Sequence, residues 1–245
     1  MNNIIFVNYP LGAGGTFLAS MIQKALTPEV DLVVDNKGSG HGNKYISHVQ
    51  GAYQDGLMSE IGRAIVNDTD YDRWSVDQRI DHLQNFIFPF SRPTVISLHC
   101  ANVGVFIQAF PNAKFVCIDI TPDQILQCRF NVLYKAIKDN VTLFHGLAKK
   151  YQQDLDECVD RIQNLNQTNL EFFSWLDTEI MSVSANKDYK LDNMIHVSYR
   201  DYLEGDEIEF LKPIFEFCKL DMRFFNEIVD ALVWYRFSQP RMPSE

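Results

Sequence analysis

The residues with the clearest chemical use are Gly12, Ala13, Gly14, Gly15 and Thr16, followed by Phe17. Glycines lack a Cβ, so the backbone can turn tightly and approach a ligand closely. Their N–H groups, beside the positive end of a following helix, would cradle a phosphate or sulfate. A strand-to-helix turn with no ligand would use the same glycines. A Walker loop ends in Gly-Lys-Ser/Thr, and here Gly15 stands in the lysine's place. Two more candidates follow apolar runs. His99 ends Val95-Ile96-Ser97-Leu98, and a histidine titrating near about 6.5 suits a general base at neutral pH. Asp119 ends Phe115-Val116-Cys117-Ile118; with Thr16 it could hold magnesium, or it could cap a helix. His41 and Lys44 lie in a glycine-rich stretch and could bring positive charge to a site.

The elements that would position these residues can be read from local patterns. Ile4-Ile5-Phe6-Val7 is a short strand, and the glycine loop leads from it into a helix from Phe17 to Leu26. Leu32-Val33-Val34 is a second strand candidate. Ser75 and Gln78 form a capping-box pattern for a helix through Phe86. Strands are expected at Thr94 to Leu98, Phe115 to Ile118 and Met194 to Ser198, with a short helix from Val103 to Phe110. Thr121-Pro122-Asp123-Gln124 is a helix start, with Pro at the first helical position. Two helical stretches, Glu207 to Cys218 and Met222 to Phe237, close the chain. Tyr199 and Asp201, just past the last strand, read as structural.

Strands alternating with helices predict an α/β fold of three layers, with a mostly parallel sheet covered on both faces. In such sheets ligands sit beyond the carboxyl ends of the strands. The glycine loop, His99, Asp119 and Tyr199 all fall there, so they should converge on one cleft. A single domain over 1–245 is expected, with helical insertions around 51–90 and 147–182.

Composition narrows the partners. The 245 residues carry 22 Lys plus Arg against 32 Asp plus Glu, a formal net charge of −10. That balance is a poor general match for nucleic acid or an anionic membrane surface. It leaves room for a small anion held by local N–H groups. Aromatics reach 13%, which argues for a packed core over disorder. No apolar run is long enough to span a bilayer, and the first residues lack a signal-peptide pattern. The five cysteines are scattered, with no zinc spacing, which points to reduced thiols in a cytoplasmic protein and to no bound metal.

Taken with their order, these segments resemble the sulfotransferase family, whose fold is of the P-loop NTPase-like kind. Tyr9-Pro10 and Gly14-Gly15-Thr16-Phe17-Leu18 are similar to the two ends of its phosphosulfate loop. Val95 to His99 is similar to its strand ending in a catalytic His. Ala113 to Ile118 with Thr121-Pro122-Asp123, and His196 to Leu203, are similar to two further segments. The resemblance implies 3′-phosphoadenosine-5′-phosphosulfate as donor and sulfuryl transfer to a hydroxyl of a small molecule or glycan. It implies His99 as general base and Gly12 to Phe17 around the 5′-phosphosulfate. The family's loop cation falls on Leu11 or Gly12. Its 3′-phosphate Arg and Ser fall on Ile120 and Cys128, with Arg129 adjacent. Of the family's C-terminal basic loop, only Arg236 and Arg241 are nearby. Two alternatives stand beside this reading: a P-loop small-molecule kinase or phosphotransferase, and a non-catalytic anion-binding member of the fold.

Overall fold

The computed structural model of the chain describes residues 4–10, 12–26, 75–85, 93–98, 103–129, 131 and 191–239. Four strands form one parallel sheet: β1 (Ile4–Asn8), β2 (Thr94–Leu98), β3 (Lys114–Asp119) and β4 (Met194–Ser198), in the order β2-β1-β3-β4. Every pairing is parallel, with Phe6 opposite Ile96 on one side and Phe115 on the other. Cys117 is opposite His196 in the β3–β4 pair. The helices are α1 (Gly15–Leu26), α2 (Val76–Asn85), α3 (Val103–Ala109), α4 (Tyr199–Glu204), α5 (Glu207–Cys218) and α6 (Phe225–Ser238).

Side chains alternate across each strand, so the sheet buries two cores. Ile5, Val7, Val95, Val116 and Ile118 face α1, α5 and α6, meeting Leu18, Met21, Ile214 and Leu232. Phe6, Ile96, Phe115, Cys117 and Met194 face the other way, onto Leu83 of α2 and Phe106 of α3. Helices therefore cover both faces, as the strand–helix alternation predicts. The strands are apolar on both sides because neither face of the sheet meets water.

Local chemistry sets the helix ends. Ser75 and Gln78 make both bonds of the predicted capping box, at 3.2 and 2.8 Å. After β3, Pro122–Gln124 forms a 3₁₀ turn and residues 125–129 continue as helix. The Gln124 side chain accepts the Thr121 N–H at 2.8 Å, the expected half of that box. Asp206 caps α5 by accepting from Ile208 and Glu209, and Lys219 ends that helix in the left-handed region at φ 57°. The expected strand at 32–34 and the insertions around 51–90 and 147–182 fall largely or wholly outside the described residues. No helix among the described residues is long and apolar enough to cross a membrane.

The order of the strands locates a cleft. Among the described strands, the next after β1 lies on one side of it, and the next after β3 lies on the other. The order reverses between β1 and β3, and in parallel sheets that is the point beyond whose carboxyl ends ligands are bound. The glycine loop leaves β1 at that point, and the 120–131 segment leaves β3 beside it.

Candidate functional site

The loop takes its shape from two glycines with positive φ, Gly12 at 80° and Gly14 at 70°. Side chains other than glycine's rarely adopt that backbone. Ala13 donates its N–H to the Pro10 carbonyl at 3.1 Å, and Phe17 donates to the Gly14 carbonyl at 3.0 Å. The turn then runs directly into α1, whose first N–H groups have no carbonyl within the helix to bond. Those groups point towards the crevice end of the sheet, where the helix dipole is positive.

The surroundings of the loop are protein groups of high specificity. A methyl group on Gly12 would come under 3.0 Å from the Cys128 carbonyl oxygen. One on Gly14 would meet the Tyr235 hydroxyl, and one on Gly15 would meet the Tyr9 ring, both closer than a real Cβ contact. The glycines are therefore required by packing within the chain, whatever else they hold. Further bonds fix the loop from outside. Tyr202 of α4 donates its hydroxyl to the Gly14 carbonyl at 3.0 Å. Asn131 donates to the Gly12 carbonyl at 2.8 Å and to the Tyr199 hydroxyl at 3.0 Å. The Tyr9 and Thr16 hydroxyls bond to each other. Tyr235 is stacked on Phe17, with ring centroids 4.1 Å apart, and hydrogen-bonds the Tyr202 hydroxyl.

Of these tyrosines, Tyr199 is expected from the sequence at the cleft as a structural residue, whereas nothing in the sequence assigns a place to Tyr202 or Tyr235. Tyr202 lies 188 residues from Gly14 and Tyr235 farther still, and no local pattern links them to the loop. Burial pushes the Tyr235 phenol up, and holds those of Tyr199 and Tyr202 well above the usual range. All three stay neutral and act as hydrogen-bonding struts.

The other expected site residues divide as follows. Gly12, Ala13, Gly14, Gly15, Thr16, Phe17 and Cys128 are brought together around the loop. Phe17 is buried, with its ring in the core against Tyr235. The Cys128 side chain is fully buried and bonded to Tyr199, and burial pushes its thiol up to about 12. What Cys128 offers the loop is its backbone carbonyl. Arg129, next along the helix, is buried. Ile120 is buried in the core. His99, His41, Lys44 and Arg241 lie outside the described residues.

Asp119 has a defined partner. Its carboxylate sits 3.0 and 3.1 Å from Nδ1 of His196, on the neighbouring strand β4. The imidazole's other nitrogen lies 3.1 Å from the Met194 sulfur. Arg236, the nearest described counterpart of a C-terminal basic loop, is a helix cap. It donates to the carbonyls of Asp201, Tyr202 and Gly205 at 2.6–2.8 Å and pairs with Glu207 at 2.7 Å. In this way it satisfies the last carbonyls of α4 and holds Tyr202 under the loop.

No protein-family model matches this chain, and no curated protein matches it in sequence. The functional reading therefore rests on the site alone.

Beside the loop a polar pocket of about 280 Å³ opens over the carboxyl ends of β3 and β4. It shares Asn131 and Tyr199 with the loop's surroundings, so it adjoins the loop.

Proposed function

We propose that the chain is a sulfotransferase-like protein whose glycine loop, Gly12 to Thr16, holds the anionic end of a group-transfer donor. The observation that carries this is positional. The loop opens a 12-residue helix at the point where the strand order of a parallel sheet reverses. In this reading the reaction is transfer to a hydroxyl of a small molecule or glycan. His99, one residue past β2, would take the acceptor's proton as general base.

The donor implied by the family resemblance fits only at one end. Backbone N–H groups could hold a phosphosulfate at the start of α1. The positions assigned to its 3′-phosphate do not suit a dianion. Ile120 is apolar and buried, the Cys128 thiol is buried and bonded to Tyr199, and Arg236 is committed to α4 and Glu207. The reading is accordingly of a donor anion at the loop, with no step drawn through 3′-phosphoadenosine-5′-phosphosulfate.

A second reading has its own support. Close packing inside the chain accounts for all three loop glycines, which leaves room for a non-catalytic anion-binding member of the fold. The phosphotransferase alternative needs Thr16 and Asp119 on magnesium, and those two side chains bond Tyr9 and His196 instead.

Calorimetric titration tests the reading. Inorganic phosphate, sulfate and 3′-phosphoadenosine-5′-phosphosulfate are added separately, and ATP with and without magnesium. Competitive binding of the simple anions and a nucleotide, without need of magnesium, is expected. No heat and no thermal shift with any of them at millimolar concentration would defeat the proposal. Turnover abolished in His99→Ala would separate the catalytic from the non-catalytic reading.

A further inference from the structure

The polar pocket beside the loop has a chemistry unlike that of a phosphate site. Its wall carries two carboxylates, Asp123 and Glu204, two arginines, Arg200 and Arg236, and several carboxamides, among them Gln127 and Gln239. Each arginine has an acidic partner. Arg200 donates to Asp123 at 2.6 Å, and Arg236 bonds Glu207 at 2.7 Å. Among the lining groups that leaves the Glu204 carboxylate without a matching cation, so the wall favours hydrogen-bond donors over anions. A guanidinium has five N–H donors, and the Asp123 bond occupies one of Arg200's. Carboxamides offer both donors and acceptors. Balanced donors and acceptors with a surplus carboxylate suit neutral hydroxyl groups, which donate to carboxylates and accept from amides.

The pocket's size and place fit this. Its volume of about 280 Å³ is near the lower end of small-molecule sites. Asn131 forms the shared wall, bonding Gly12 of the loop on one side and Tyr199 and Gln127 of the pocket on the other. The pocket therefore lies directly beside the loop.

We propose that this pocket receives the neutral, hydroxyl-bearing sugar ring of a ligand whose single phosphate or sulfate sits on the glycine loop, and that it disfavours a second phosphate on that ring. The inference rests on the anion-binding reading of the loop. It departs from what the family resemblance implies, since both arginines of the pocket wall already have acidic partners and none is left over for a second phosphate.

Four probes test it by calorimetry on the full chain: inorganic phosphate, ribose 5-phosphate, adenosine 5′-monophosphate and adenosine 3′,5′-bisphosphate. Ribose 5-phosphate should bind about tenfold or more tighter than inorganic phosphate, the gain of one or two hydrogen bonds to charged groups. A further gain with adenosine 5′-monophosphate would identify a nucleotide as the source of the ring; equal affinity would identify a sugar phosphate. The bisphosphate should bind more weakly than the monophosphate. Glu204→Gln, at an exposed helix end, should shift selectivity towards the bisphosphate by about twofold to fivefold, the scale of one surface charge interaction, and leave inorganic phosphate unchanged. If phosphate binds but the sugar adds nothing, or the bisphosphate binds tighter than the monophosphate, the pocket inference is overturned while the loop reading stands. If inorganic phosphate and all three larger probes fail to bind, both are overturned.

Discussion

Gly14 is the position where the loop's conformation and its packing are tested together. In Gly14→Ala the residue must stay at φ 70°, which costs about 1–2 kcal/mol for a side chain other than glycine's. The new methyl group also meets the Tyr235 hydroxyl under 3.0 Å and the ring's Cζ at 3.0 Å. Tyr235 cannot swing aside, because it is buried and stacked between Phe17 and Tyr202. Overpacking of this kind adds about 1–3 kcal/mol. The expected loss of stability is about 2–5 kcal/mol in all. Tyr235→Phe alone removes a buried hydroxyl bonded to Tyr202 and should cost about 1 kcal/mol. The double variant removes the worst contact but keeps Cζ at 3.0 Å. It should therefore be less destabilised than the sum of the singles, by about 1–2 kcal/mol. Gly12→Ala is the control, since its obstacle is the Cys128 backbone oxygen and no side-chain change relieves it. Urea denaturation followed by far-ultraviolet circular dichroism measures all five proteins. Gly14→Ala within about 0.5 kcal/mol of the parent, or strict additivity in the double variant, would refute the packing argument.

Three further outcomes follow from other contacts. Arg236→Ala should destabilise by about 3 kcal/mol or more, because two α4 carbonyls, that of Gly205 and Glu207 lose a buried partner. Arg236→Lys should recover less than half in the same denaturation assay, since an ammonium cannot reproduce the fork. Cys117, Cys128 and Cys218 are buried, so a thiol reagent should label at most the other two of the five cysteines in the native protein, and all five in guanidinium; rapid native labelling of three or more would contradict their burial. Burial pushes those three thiols from 9.0 to about 12, so above pH 9 the unfolded chain loses protons that the folded chain keeps. Stability should then fall as pH rises from 9 towards 12, by about 1 kcal/mol per thiol at pH 10. A flat denaturation midpoint across that range would contradict the assignment.

The strands and helices were largely legible because their signals are local. The run Met194 to Ser198 is β4 to the residue, and Glu207 to Cys218 is α5, with Asp206 and Lys219 supplying the end chemistry. The expected helix from Met222 begins as a 3₁₀ turn at Met222–Phe224, an end effect that periodicity does not resolve. The glycine loop was legible as a tight turn, but the reason for each glycine was not. The groups that fill the space beside Gly12 and Gly14 come from Cys128 and Tyr235, far along the chain. The same limit hid Asn131 and Tyr202 as supports of the loop and Arg236 as the cap that holds α4. Asp119 stood out as a strand-end carboxylate; its His196 partner became visible only when β3 and β4 paired.

The central claim is that the backbone of Gly12 to Thr16 binds an anion. Proton–nitrogen correlation spectra of the chain labelled with ¹⁵N-glycine, titrated with inorganic phosphate, address it directly. The account predicts saturable shifts of the Gly14 and Gly15 amides, with Gly205 unmoved. Shifts confined to other glycines, or none at millimolar phosphate, would contradict it.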